Sequence, residues 1–328
     1  MIDTKKSRPI TRPSSRVERV AKRLARDKDR QDRHQRRGES PEATAAEAAA
    51  LEARIAALTQ VHHLAYDPQD WASVAARGEF AYPTRSNLNE AAARKALTSF
   101  RPGLLDRLLG LDQDKRRALA ARVAEAAARD EAAYRVARKV VDEHNAEVQF
   151  ALRLLDLDVP TIEKSLLTHT TLATIGPAIE GVRVHVPARG RLVVVVAGLD
   201  LEDMPDEGCE RQGGKLVFRP LARGAMAALH RQCVCSAALR VAAEVLSAAP
   251  VEWVEVVVEC DITDRVTGQV ERAQVLHVKV GHRALAETRL EDLDPVQAVK
   301  DFGGRMEWTA AESFAPIETP DLALPAAA

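Results

Sequence analysis

Aromatic residues are scarce in this sequence: 3 Trp, 3 Tyr and 6 Phe make up only 4% of its 328 residues. The core must therefore be assembled from Ala, Val and Leu, which suits helices packed closely through small side chains. The same scarcity leaves few platforms for stacking single-stranded nucleic acid. No run of roughly eighteen or more apolar residues occurs, and charges fill the N-terminal stretch where a secretory segment would be apolar. A cytoplasmic chain with no membrane partner is expected. Four cysteines are too few for a disulfide framework, and Cys233 and Cys235 read as reduced thiols.

Catalytic and cofactor motifs are also missing. No GxSxG or HExxH string is present, and no serine can be paired with a histidine from sequence alone. RQGGKLVF holds two glycines and a lysine, but a strand follows where an anion-binding helix N-terminus would be needed. His230, Cys233 and Cys235 resemble zinc ligands until helical geometry is applied. Cys235 is rotated about 200° from Cys233, so one helix cannot turn both thiolates toward one ion. No metal site and no cofactor are expected.

The formal net charge of -1 conceals an asymmetry. Residues 1–37 carry 14 Lys or Arg against 5 Asp or Glu, a net of +9, which leaves -10 for the rest of the chain. With prolines, serines and almost no large apolar residue, residues 1–40 cannot offset the entropy of ordering. Disorder is expected to about Ser15, followed by a frayed charged helix to about Arg37. Arg8, Arg12, Arg16, Arg19, Lys22, Arg23 and Arg26 can track a nucleic-acid backbone, releasing a condensed counterion at each phosphate contact. Alternatively the segment is a solvated helix whose own Asp27, Asp29 and Asp32 weaken its field.

Beyond this arm, residues 41–158 read as a helical domain. PEATAAEAAALEARIAALTQV is rich in Ala and Glu, with Leu51, Ile55, Leu58 and Val61 on one stripe. It is either a docking helix or part of a coiled-coil contact with a protein partner or a second copy. Pro68, Gly78 and Pro83 punctuate a connector with a short helix around Trp71, and Asn87 or Asn89 caps the next helix. Between Asp112 and Leu155 there is no Pro or Gly. An unbroken helix there would span about 60 Å, so either a hairpin arm or a bend near Asp130 is expected, with Pro160 closing it.

Residues 159–318 change period. GVRVHVP, RLVVVVAGL and KLVFRPL read as strands, the second buried on both faces. Leu221–Ala249 is one helix; VEWVEVVVE and VERAQVLHVKV form a hairpin; DPVQAVKDF is a helix capped by Asp294; RMEW is a last strand. The expected class is α+β, an antiparallel or mixed sheet on one long helix, with 319–328 a disordered tail. The enzymatic alternative is a divergent metal-dependent nuclease using Asp261, Glu271 and Lys279 on the hairpin.

The stretch from Cys233 to Met306, CVCSAALRVAAEVLSAAPVEWVEVVVECDITDRVTGQVERAQVLHVKVGHRALAETRLEDLDPVQAVKDFGGRM, and the later FAPIETP resemble a family of uncharacterised bacterial proteins, a domain of unknown function. The likeness extends upstream through VHHLAYDPQDW, NEAAARKAL and RPGLLDRLLG. Some proteins with a similar C-terminal module carry an Mrr-like restriction-endonuclease domain. The resemblance implies that this catalytic part is missing here and that the setting is nucleic acid or phage defence. It carries over no catalytic residue. The expected function is a non-catalytic scaffold or interaction protein, with nucleic acid or a protein partner engaged through its arms.

Overall fold

The computed structural model describes residues 24, 25, 28, 31, 32, 40–104, 109–172, 175–188, 191–263, 270–308 and 314–318. They form an α+β protein in two compact units, one of residues 70–156 and the other of the flanking segments. The helix α1 (Pro41–Thr59) belongs with the second of these, the body, and not with the helical unit that a boundary at 41 anticipated.

The body is built around one helix, α6 (Arg223–Ala248), whose residues from Cys233 to Leu239 are all buried. A six-stranded sheet covers one side of it, in the order β1 (Ile179–Ala188), β2 (Arg191–Gly198), β5 (Trp253–Thr263), β6 (Val270–Gly281), β7 (Arg305–Trp308) and β8 (Phe314–Ala315). α1, α5 (Val159–His169) and α8 (Pro295–Asp301) pack on its other sides, and the short α7 (His282–Ala286) follows β6. A helix enclosed this way can be apolar all round, which is why Cys233 and Cys235 are both buried although they point in different directions. The sheet is mixed: β2 and β5 run parallel and every other pair is antiparallel. A parallel pair needs a long crossover, and α6 supplies it. β2 is buried from Leu192 to Gly198, as its valine run indicates.

KLVFRPL does not enter this sheet. It forms β4 (Lys215–Pro220), paired with β3 (Glu207–Gln212) in a separate hairpin. The two-residue turn between them has positive φ at both Gly213 and Gly214, the conformation that matches strand twist in a tight hairpin.

The helical unit comprises α2 (Trp71–Ala76), α3 (Leu88–Ser99) and α4 (Asp112–Leu155). α4 is one uninterrupted helix of 44 residues. Pro160 does not close it. Leu157 follows it with φ 56, Asp158 caps α5 through the Thr161 N–H, and Pro160 lies in the first turn of α5.

An extended strap, residues 77–87, runs antiparallel along α4. His144 donates to the Gly78 carbonyl at 2.9 Å and stacks on Phe80. The Asn145 amide bonds both the N–H (2.8 Å) and the carbonyl (3.0 Å) of Phe80, and Arg85 meets Glu131 at 3.3 Å. At the end of the strap Asp130 accepts from the Glu90 N–H at 2.9 Å and from the Asn89 side chain at 2.6 Å. Asn87 occupies the cap position of α3 without a side-chain cap bond, so the carboxylate of a neighbouring helix does the capping. These bonds, the Glu90 N–H foremost, hold the Asp130 carboxyl below its ordinary range. Asp130 is therefore the anchor of α3 rather than a bend.

Candidate functional site

The β5–β6 hairpin carries the three residues of the nuclease alternative and keeps them apart. Asp261 pairs with Arg272, Ile262 with Glu271, and Glu255 with Lys279. The register shifts between Val258 and Glu259, leaving Val275 as the extra residue of a β-bulge. Without it, Glu271 and Lys279, eight apart, would share a face. With it, Glu271 turns to the face of Ile262, opposite that of Asp261 and Lys279. Those two lie on one face but six residues apart along the sheet, about 20 Å at the rise of a strand. Asp261 is occupied by Arg272 at 3.3 Å, and Lys279 lies over the Trp253 ring at 3.6 Å. The trio does not converge on one metal ion. Among the described residues no group of three or more His, Cys, Asp or Glu is placed to hold one.

The face of the sheet turned from α6 has its own organisation. Val193, Val195 and Val257 form a buried apolar patch at its centre. Ion pairs bridge the strands around them. Arg183 of β1 meets Glu259 of β5 at 2.7 Å. Arg191 of β2 grips Glu255 with two bonds, 3.0 and 3.2 Å. His277 of β6 donates from Nε2 to the same carboxylate at 3.1 Å, and Arg272 lies between Asp261 and Glu180. Glu255 is 7% exposed. Burial alone would raise its pKa, but the hydrogen bonds and charges of Arg191 and His277 outweigh that and hold it below the usual carboxylate range. A carboxylate held in this way is a poor proton acceptor near neutral pH. Glu255 was not among the expected site residues, and its signal was a glutamate interrupting the valine run of β5.

Two other constellations look catalytic only in outline. Ser236 lies 2.7 Å from His62 Nδ1, and the other ring nitrogen of His62 is 3.3 Å from the Leu293 carbonyl. Ser236 is fully buried and His62 is 1% exposed, and the His62 N–H also donates to the Ser236 oxygen. Burial lowers the His62 pKa, and the trio pins the chain after α1 to α6 and to the turn before α8. His230 donates to the Leu199 carbonyl at 2.7 Å, with Cys260 Sγ 4.0 Å from the same nitrogen. Burial pushes the His230 pKa down to about 4 and raises the Cys260 thiol. All four cysteines are free thiols. Both constellations lie in the packed interior of the body.

On the helical unit, Lys95, Arg101, Arg116 and Arg122 are exposed cations. Arg8, Arg12, Arg16, Arg19, Lys22, Arg23 and Arg26 lie outside the described residues. Leu24 and Ala25 among them, and Lys28, Gln31 and Asp32 just beyond, are helical. No described helix is long and apolar enough to cross a membrane. No protein-family model matches the chain, and no curated protein or solved structure matches it either.

Proposed function

We propose that the protein is a non-catalytic cytoplasmic interaction protein that associates with nucleic acid, its basic arm contacting phosphates and its α+β body serving as a structural module. The observation that carries this reading is the ion-paired face of the sheet. Glu255, Glu259 and Asp261 each have an arginine, and Glu255 also has a histidine, so each carboxylate is taken up by a cross-strand ion pair. The histidines bonded to Ser236 and Leu199 serve packing. The arm is of a different kind: a net charge of +9 over residues 1–37 is a field that attracts a polyanion.

A gel-shift titration of the full chain on duplex and single-stranded DNA and RNA, at about 50 and 200 mM salt, tests it. Seven or so phosphate contacts weaken binding by about a thousandfold or more over that interval. Replacing Arg12, Arg16, Arg19, Lys22 and Arg23 with Gln should flatten the salt slope and weaken binding to all sequences alike. Undiminished binding by that variant, or no binding by the natural chain, contradicts the reading.

A further inference from the structure

Between Ala126 and Ala151, both buried, the side of α4 turned from strap residues 79–85 is exposed among the described residues, and its side chains follow a pattern. Arg129, Ala133, Val136, Val140, Glu143 and Glu147 recur at alternating intervals of four and three residues, the spacing of a helix–helix seam. All six are exposed, Val136 by 66% and Val140 by 56%. Strap residues 79–85 contact α4 through Glu131, Asn145 and Gln149, with Tyr82 near Arg138, and those positions project roughly 180° away at 100° per residue; His144 and, through Arg77, Glu147 are reached from the start of the strap. The stripe is basic at its start, apolar in the middle and acidic at its end.

That order fits a second copy of the same stripe run the other way. We propose that α4 pairs with α4 of a second copy of this chain, antiparallel, about a two-fold axis at Arg138. In this register Val136 packs on the second copy's Val140, and by symmetry the reverse. Arg129 stands opposite the second copy's Glu147, again twice, and Ala133 makes room for the stem of Glu143. A parallel, in-register pair would instead set Arg129 on Arg129 and Glu147 on Glu147, so charge complementarity selects the antiparallel arrangement. Among the described residues these charges make long contacts, Arg129 with Glu125 at 3.8 Å and Glu147 with Arg77 at 3.5 Å, and both remain solvated. The contact is isologous and closes as a dimer. It goes beyond the nucleic-acid reading and does not depend on it, although a dimer would place two basic arms on one polyanion.

Sedimentation of the full chain without nucleic acid, over about 1 to 100 µM, reads the dimer directly by mass action. The natural chain should pass from monomer to dimer in that range, and V136E/V140E should stay monomeric. Charge reversal at either end, R129E or E147R, should raise the dimer Kd by about tenfold or more, and the double variant R129E/E147R should return it to within about threefold of the natural value. That recovery separates a specific seam from loss of folding. A natural chain that is monomeric throughout, a V136E/V140E variant that still dimerises, or a double variant that fails to recover would overturn the proposal. None of these outcomes bears on nucleic-acid binding.

Discussion

His230 shows how burial converts a titratable group into a structural one. Its ring is enclosed on α6, donates to the Leu199 carbonyl and meets Phe314 edge-on at 5.5 Å. With the folded pKa near 4 and an unfolded value near 6.5, the unfolded chain binds more protons between those two values. Stability is therefore complete above pH 6.5 and is lost as pH falls toward 4. Going from pH 7.5 to 5 should cost about 2 kcal/mol through this residue alone. Burial also lowers the pKa of His62, His185 and His282, adding to the loss with the same sign. The variant H230Q keeps an N–H for Leu199 and removes the titration. Urea unfolding at the two pH values should show its pH dependence to be smaller by about that amount, and an unchanged dependence would mean that His230 is not held neutral. None of this was legible in the sequence, where His230 suggested a rejected zinc ligand. Its real partner is a carbonyl 31 residues away that only the fold brings near.

Among the elements, the end of α8 is the clearest case of local chemistry fixing geometry. Gly303 has φ 73 and its N–H bonds the Lys300 carbonyl, while the Gly304 N–H reaches back to Val299. This closes the helix with the six-to-one and five-to-two pair typical of a glycine-terminated helix. A Cβ on Gly304 would lie 2.6 Å from the Val299 carbonyl oxygen and 2.5 Å from its Cγ1. G304A should therefore destabilise the body by about 2 kcal/mol, read from the urea midpoint, because backbone must move to accommodate it. A midpoint equal to that of the natural chain would show that the turn yields freely.

Elements of this kind can be read in advance because their signals are local. Asp294 before Pro295 announced α8, and the valine run announced β2. The missed elements each depend on something distant or faint. β3, EGCERQ, has almost no apolar content and exists because the Gly-Gly turn folds it onto β4. α5 was hidden because Pro160 was read as the end of a helix when it begins one. The nuclease trio failed because a single bulge at Val275 reverses the face of Glu271, and nothing in the alternation of VERAQVLHVKV announces a bulge. The cap of α3 comes from Asp130, about forty residues downstream, while local reading proposed the adjacent asparagines.

At the scale of the whole molecule, the chain separates kinds of chemistry along its length. The body concentrates its reactive groups into packing and cross-strand ion pairs. The helical unit presents a self-complementary stripe, and the positive charge of the sequence is gathered into residues 1–37. Fold class, the central helix and the charge asymmetry were visible from composition and periodicity, because each is a sum over many residues. The ion-paired sheet face was not, because pairing Arg191 with Glu255 requires knowing that β2 and β5 are parallel neighbours in register. In the proposed function the protein holds nucleic acid without cutting it. The most direct measurement is a single gel in which labelled duplex and single strands are incubated with the full chain and Mg²⁺ or Mn²⁺, then split and run native and denaturing. Salt-sensitive retention on the native half and intact strands on the denaturing half are expected. Strand scission that D261N abolishes, or an absence of retention at low salt, would contradict it.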